Sequence, residues 1–207
     1  MAKDGNTGAA RFLPERLTLP ELRRAAAHCE GCDLYRDATQ TVFGEGPSQA
    51  RFLIVGEQPG DQEDRKGAPF VGPAGRILDK GLEEAGIDRQ EAYLTNAVKH
   101  FSFTLRGKRR IHQKPTIAEI EACNPWLNAE LALLKPEMVV VLGATAARAL
   151  LGAAFKVTQH RGEVLELGEA LAVATIHPSA VLRAPDRDEA YQGFLSDLRL
   201  ARHSCSS

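Results

Sequence analysis

Short apolar runs alternate with amphipathic stretches along this chain. Residues 52–55 (Phe-Leu-Ile-Val) are an unbroken apolar run that stops at Gly56, Pro59 and Gly60. That pattern reads as a buried parallel strand whose carboxyl end opens into a tight loop. Residues 92–96, 138–142 and 171–176 read as three further strands. Residues 76–85 carry leucine and isoleucine at helical spacing and close at Gly86. Residues 116–134 read as an amphipathic helix capped by Thr116, with Glu119 three residues on. Thr18, Pro20 and Glu21 mark another helix start, and residues 143–151 and 188–202 complete the helical set. Residues 61–72 hold too many charges, glycines and prolines for a regular element and read as a long loop. Residues 98–115 read as a long basic segment, and 157–167 as a small hairpin. The alternation predicts an α/β fold in one domain, residues 15–202, with a central four-stranded parallel sheet flanked by helices. Residues 1–14 and 203–207 read as poorly ordered tails.

Composition narrows the function. The formal net charge is −1 over 207 residues, so nucleic-acid affinity requires a local patch rather than a global field. No apolar run is long enough to cross a bilayer, and the N-terminus lacks the apolar core of a secretory signal, so a cytoplasmic protein is expected. Cys29 and Cys32 form a Cys-x-x-Cys pair, with Cys123 and Cys205 later in the chain. In a cytosolic protein that pair suggests metal or redox chemistry more than a structural disulfide.

The strand ends carry the candidate chemistry. Glu57 and Gln58 follow the first strand, Asn96 ends the second, and His177 and Ser179 follow the last. Ligands of open α/β sheets lie at such ends, so these groups should share one face. Asn offers a donor and an acceptor for an amide or imide edge. A neutral His can donate to an oxygen gaining charge. Phe70 can stack on a planar ring. Each of these is also an ordinary loop residue when taken alone. No Gly-x-Gly-x-x-Gly follows the first strand, which leaves a dinucleotide site without support.

Gly56-Glu-Gln-Pro-Gly60, Pro69-Phe-Val-Gly72, Thr95-Asn-Ala-Val-Lys99 and His177-Pro-Ser179 together resemble the uracil-DNA glycosylase superfamily, on its iron–sulfur family-4 side. The resemblance spans about residues 25 to 200. The inserted Lys108-Arg-Arg-Ile-His-Gln113 resembles the signature of the UdgX group, whose members become covalently trapped on uracil-containing DNA. The resemblance implies roles. Glu57 and Gln58 line the pocket, with Glu57 near the sugar. Asp61 belongs to the same pocket loop, as does Asp64. Phe70 stacks on uracil and Asn96 reads its imide edge. His177 stabilises charge on the departing base, and residues 178–183, including Ser179 and Arg183, form a loop that wedges into DNA. Base extraction from the stack precedes such readout.

The family resemblance also implies a [4Fe–4S] cluster. Cys29, Cys32 and Cys123 match three of its ligands, and His100 stands where the fourth cysteine is expected. Histidine ligation of iron–sulfur centres is known. A Cys₃His zinc site is the competing reading, and Cys205 a competing fourth ligand.

Lys99, Arg106, Lys108, Arg109, Arg110 and Lys114 crowd one stretch, interleaved with His100, Phe101, Phe103 and His112. This is either a solvated loop or a phosphate-contact surface. The expected function is uracil excision followed by covalent attachment of the abasic sugar to His112, the imidazole acting as nucleophile with Glu57 and His177 in support. A turnover glycosylase and a non-catalytic binder of damaged or single-stranded DNA are the alternatives. The expected partner is uracil-containing DNA, single strands included, and the expected state is a monomer.

Overall fold

The computed structural model describes residues 8–205. In chain order its elements are α1 (Leu19–Ala26), β1 (Phe52–Gly56), α2 (Asp61–Lys66), α3 (Pro73–Ala85), β2 (Ala92–Asn96), β3 (Phe103–Arg106), β4 (Arg109–His112), α4 (Ile117–Leu134), β5 (Met138–Leu142), α5 (Gly143–Leu151), α6 (Val157–His160), β6 (Val164–Leu167), β7 (Ala170–Thr175), α7 (Pro178–Arg183) and α8 (Arg187–Ser204).

The strands form one five-stranded sheet in the order β2-β1-β5-β7-β6 and a separate β3-β4 hairpin. β1, β2, β5 and β7 are parallel, as the four apolar runs require. The fifth strand is new: β6 pairs antiparallel with β7, so the stretch read as a local hairpin supplies a sheet edge. Its alternating exposure fits a strand with one face on the core.

The unbroken apolar strands follow from burial on both faces. Phe52, Ile54, Met138, Val140 and Leu142 pack under α3 and α8 in one cluster. Leu53, Val55, Val139 and Val141 point the other way, into the cluster beneath α4 and α5. Strand side chains alternate sides, so only a run with no polar position can satisfy both layers. A third cluster holds Leu22 and Ala26 of α1 against Cys123 and Trp126 of α4. Thr116 caps α4 as its spacing predicts, accepting the Glu119 N–H at 3.3 Å while Glu119 Oε2 accepts the Thr116 N–H at 2.7 Å.

Parts of both stretches read as tails are built into the fold. Gly8–Phe12 forms a 3-10 turn with Ala9 buried, and a Cβ at Gly8 would overlap the Ala122 backbone. α8 runs to Ser204, and Cys205 is buried with its thiol donating to Glu137. Residues 1–7 and 206–207 lie outside the described residues. Residues 61–66 are helical rather than looped, because Glu63 supplies what charge counting overlooks. Its carboxylate accepts the Gly60 N–H at 3.1 Å and the Gly72 N–H at 2.7 Å, which fastens both ends of the segment.

Candidate active site

The carboxyl ends of β1, β2, β5 and β7 open on one side of the sheet. Chain order reverses between β1 and β5, with β2 on one flank and β7 on the other, which is where open sheets leave a crevice. A cleft of about 680 Å³ lies there. Glu57, Gln58, Asp61, Phe70, Asn96, His112, His177, Ser179 and Arg183 all line it. The groups expected at three strand ends therefore meet.

Asn96 closes β2 in register with Gly56. It is 2% exposed, and its Oδ1 is a buried acceptor without a hydrogen-bond partner among the described residues. A buried carbonyl oxygen left unpaired costs about 1–3 kcal/mol, so this one is prepared for a donor brought by a ligand. Phe70 sits beside it with φ 56°, the left-handed region. Its ring is 6.3 Å from the His177 ring at 25°. Gly56 makes this possible, since a Cβ there would collide with Asn96 Oδ1 and the Phe70 ring. Gly75 likewise leaves room for the Phe70 carbonyl.

His177 caps α7. Its Nδ1 accepts the Ser179 N–H at 3.1 Å and lies 2.8 Å from Ser179 Oγ. The backbone N–H can only donate, so the neutral ring carries its proton on Nε2. Burial, helped by Arg183 and His112, lowers its pKa to about 4. The ring is therefore a neutral donor across the ordinary pH range. Residues 178–183, expected as a loop, are the short helix α7.

Glu57 directs its two oxygens differently. Oε2 accepts from the Thr145 hydroxyl of α5, and Oε1 faces His112 Nε2 at 3.4 Å. Thr145 carries no signal in the sequence beyond helical periodicity and is absent from the expected set. His112 arrives on the hairpin. The segment read as a loop turns through Gly107, at φ 62°, and Lys108, pairing Phe103 with His112 and Leu105 with Arg110. Two-residue alternation then puts Arg110 and His112 on the inner face, and Arg109 on the outer one. The sequence signal is a glycine between two short β-like runs.

Two expected roles are corrected. Arg110 is not available to phosphate. Its guanidinium is bound by Asp61 and, at 2.6 Å, by Asp64, and lies over the Phe103 ring at 5.0 Å. These interactions fasten the hairpin to α2. They also occupy Asp61, whose pKa is lowered first by Arg65 and then by Arg110. Asp61 lines the cleft but spends its charge on those arginines. Lys99 is not part of a basic surface. It is fully buried, with Nζ 2.6 Å from Glu130 Oε2, 2.6 Å from Thr95 Oγ1 and 2.7 Å from the Asn96 carbonyl. Gln58 is largely spent on the hairpin's feet. Its amide donates to the Ser102 and Gln113 carbonyls at 3.2 and 2.9 Å and accepts the Ser102 N–H at 3.1 Å. Lys108, Arg109 and Arg183 are exposed, and Arg183 lines the cleft.

The expected cluster ligands fall partly together. Cys29 and Cys123 share one apolar cluster, and burial pushes the Cys123 thiol up, with Cys32 and Cys29 adding a smaller rise. Trp126 Nε1 donates to Cys29 sulfur at 3.3 Å, and the Lys99 N–H to Cys123 sulfur at 3.2 Å. Buried sulfurs receiving N–H donors suit thiolate ligation in donor chemistry. His100 is buried and neutral, its pKa lowered to about 4 by burial, but its Nε2 is 2.9 Å from Thr41 Oγ1. Among the described residues no three or more His, Cys, Asp or Glu side chains converge in a metal-holding group. Cys205 is set aside as the fourth ligand, since it packs in a different cluster, against Glu137. No helix of the described residues is long and apolar enough to cross a membrane.

The profile of the uracil DNA glycosylase superfamily matches residues 43–199. The chain is 38% identical to a type-4 uracil-DNA glycosylase of Thermotoga maritima, over 75% of this chain and 78% of that one. It is 33% identical to the type-4 enzyme of Pyrobaculum aerophilum, over 82% and 87% of the two chains. It is also 33% identical to that of Archaeoglobus fulgidus, over 84% and 88%. With the sheet, the cleft and these matches in agreement, the chain belongs to the uracil-DNA glycosylase superfamily and is type-4-like within it.

Proposed function

We propose that this protein excises uracil from DNA and then remains covalently joined to the abasic sugar through His112, as in the UdgX group. The names of its type-4 relatives support excision. One observation carries the covalent step: the inserted hairpin brings His112 to the cleft, with Nε2 3.4 Å from Glu57 Oε1.

A flipped uracil enters the cleft. Its N3–H supplies the donor that Asn96 Oδ1 lacks, and Phe70 covers its ring. The bond between C1′ and uracil N1 breaks with both electrons leaving on the base. His177, through Nε2–H, donates to the uracil oxygen that gains the charge. The Glu57 carboxylate stabilises the cationic sugar. The lone pair of the unprotonated His112 nitrogen then bonds to C1′, and the ring's N–H proton passes to Glu57 or to solvent. Lys108, Arg109 and Arg183 contact backbone phosphates. Cys29, Cys32, Cys123 and His100 would hold a [4Fe–4S] cluster, which would have a structural part, tying the N-terminal segment to the turn after β2 and to α4. Broad visible absorption with stoichiometric iron supports that cluster, and a colourless protein with stoichiometric zinc overturns it.

A denaturing gel tests the function. Wild-type protein with a uracil-containing oligonucleotide gives a retarded band. His112→Gly or His112→Ser gives no retarded band, and alkali then cleaves the strand at an abasic site, because water fills C1′. A retarded band that persists in the variant assigns the bond to another residue. Abasic product without retardation from wild type means turnover, and neither product means binding alone.

A further inference from the structure

We infer that Thr145 is a positioning residue, the first member of a chain that runs Thr145–Glu57–His112. The inference rests on the function proposed above. Thr145 lies in the first turn of α5, directly after the central strand β5, and is 1% exposed. Its hydroxyl donates to Glu57 Oε2, which leaves Oε1 to face His112 Nε2 at 3.4 Å. Each oxygen of one carboxylate thus has its own partner.

The geometry gives the hydroxyl a specific task. The Glu57 side chain is 22% exposed at the edge of the cleft and can turn about three bonds. Holding one such rotamer costs entropy unless an interaction selects it. Leu142, Gly143 and Ala144 line the same wall and offer no side-chain donor. Thr145, buried directly behind them in the same turn, supplies one. Because the hydroxyl is buried, its bond to the carboxylate escapes competition from solvent, and charge-assisted bonds of this kind are the stronger ones. A glutamate held in this way is already placed for both the cationic sugar and the imidazole.

Thr145→Val removes the hydroxyl at nearly constant volume, and Thr145→Ala serves if valine crowds the site. Single-turnover uracil release at saturating DNA should slow by about tenfold, the usual scale for one charged hydrogen bond. The ratio of adduct to abasic product should fall, with DNA affinity unchanged. Thr145→Ser should recover most of the rate. In a Glu57→Gln background, Thr145→Val should add no further loss, since the two act as one unit. A near-native rate in Thr145→Val, a serine variant as impaired as the valine one, or additive losses with Glu57→Gln would each overturn the inference while leaving the proposed function intact. Wild-type protein that releases no uracil would overturn the function and this inference together.

Discussion

At the scale of single residues, the site works by leaving some groups unpaired and fixing others. Asn96 Oδ1 has no hydrogen-bond partner among the described residues. Asn96→Ala should therefore slow single-turnover uracil release by roughly 10- to 100-fold, since the hydrogen bond it removes is worth ~1–3 kcal/mol. An unchanged rate would remove Asn96 from recognition. His177 is the fixed group, held neutral with a pKa of about 4 by burial. The unfolded chain binds its proton near pH 6.5. Between about pH 6.5 and 4 the unfolded state therefore holds more protons than the folded one, so stability falls as pH falls through that window. The contribution is on the order of 3 kcal/mol. His177→Asn should narrow the gap in melting temperature between pH 7 and pH 4.5. An undiminished gap would place the acid sensitivity elsewhere. That Asn96 and His177 meet in the cleft is legible in the sequence because each stands at a strand end. That Thr145 meets Glu57 is not, because the two are 88 residues apart and a threonine in a first helical turn looks like any other.

At the scale of elements, the hairpin is the part whose placement matters most for the proposed attachment. Arg110 fastens it to α2, and Gln58 clasps its two feet. Arg110→Ala should leave Asp64, which is fully buried, without its cation and let His112 wander. Adduct formation should fall by about tenfold or more while uracil release falls less, so abasic DNA accumulates. Equal losses in both steps on the gel would mean that the hairpin serves excision as much as attachment. Beneath the turn after β2, Lys99 and Glu130 form a fully buried ion pair. Glu130→Gln strands the ammonium and should destabilise the fold by about 3 kcal/mol, read in urea unfolding. A loss near zero would show that the Thr95 hydroxyl and the Asn96 carbonyl beside the ammonium suffice. Charge counting assigns Lys99 and Arg110 to a surface. It cannot see that each has a carboxylate waiting in a distant element.

At the scale of the molecule, a chain of net charge −1 must meet DNA through a local field. Exposed Lys108 and Arg109 on the hairpin and Arg183 on α7 stand on different elements that both line the cleft. Encounter with uracil-containing single strands should weaken with salt. Lys108→Ala with Arg109→Ala should lower the slope of log affinity against log salt by roughly 0.7 for each phosphate that is no longer neutralised. Affinity should fall alike for every sequence context. A slope that does not move would take the hairpin's outer face out of phosphate binding.

The sequence by itself determined the layers and the ligand edge. Four apolar runs, each buried on both faces, can only be central parallel strands, and parallel strands bring their carboxyl ends together. That is why Glu57, Asn96 and His177 could be placed on one face from their positions alone. Tertiary structure decided what depends on long-range pairing. It added β6 as an antiparallel edge, wound residues 61–66 into a helix around the Glu63 carboxylate, and folded the basic stretch into a hairpin. It also sorted the charges. Arg109 and Arg110 are neighbours of the same type in sequence, yet a two-residue repeat sends one to solvent and the other to Asp61 and Asp64. Local pattern sets where a side chain points relative to its own strand. Only the packed chain settles what it meets there.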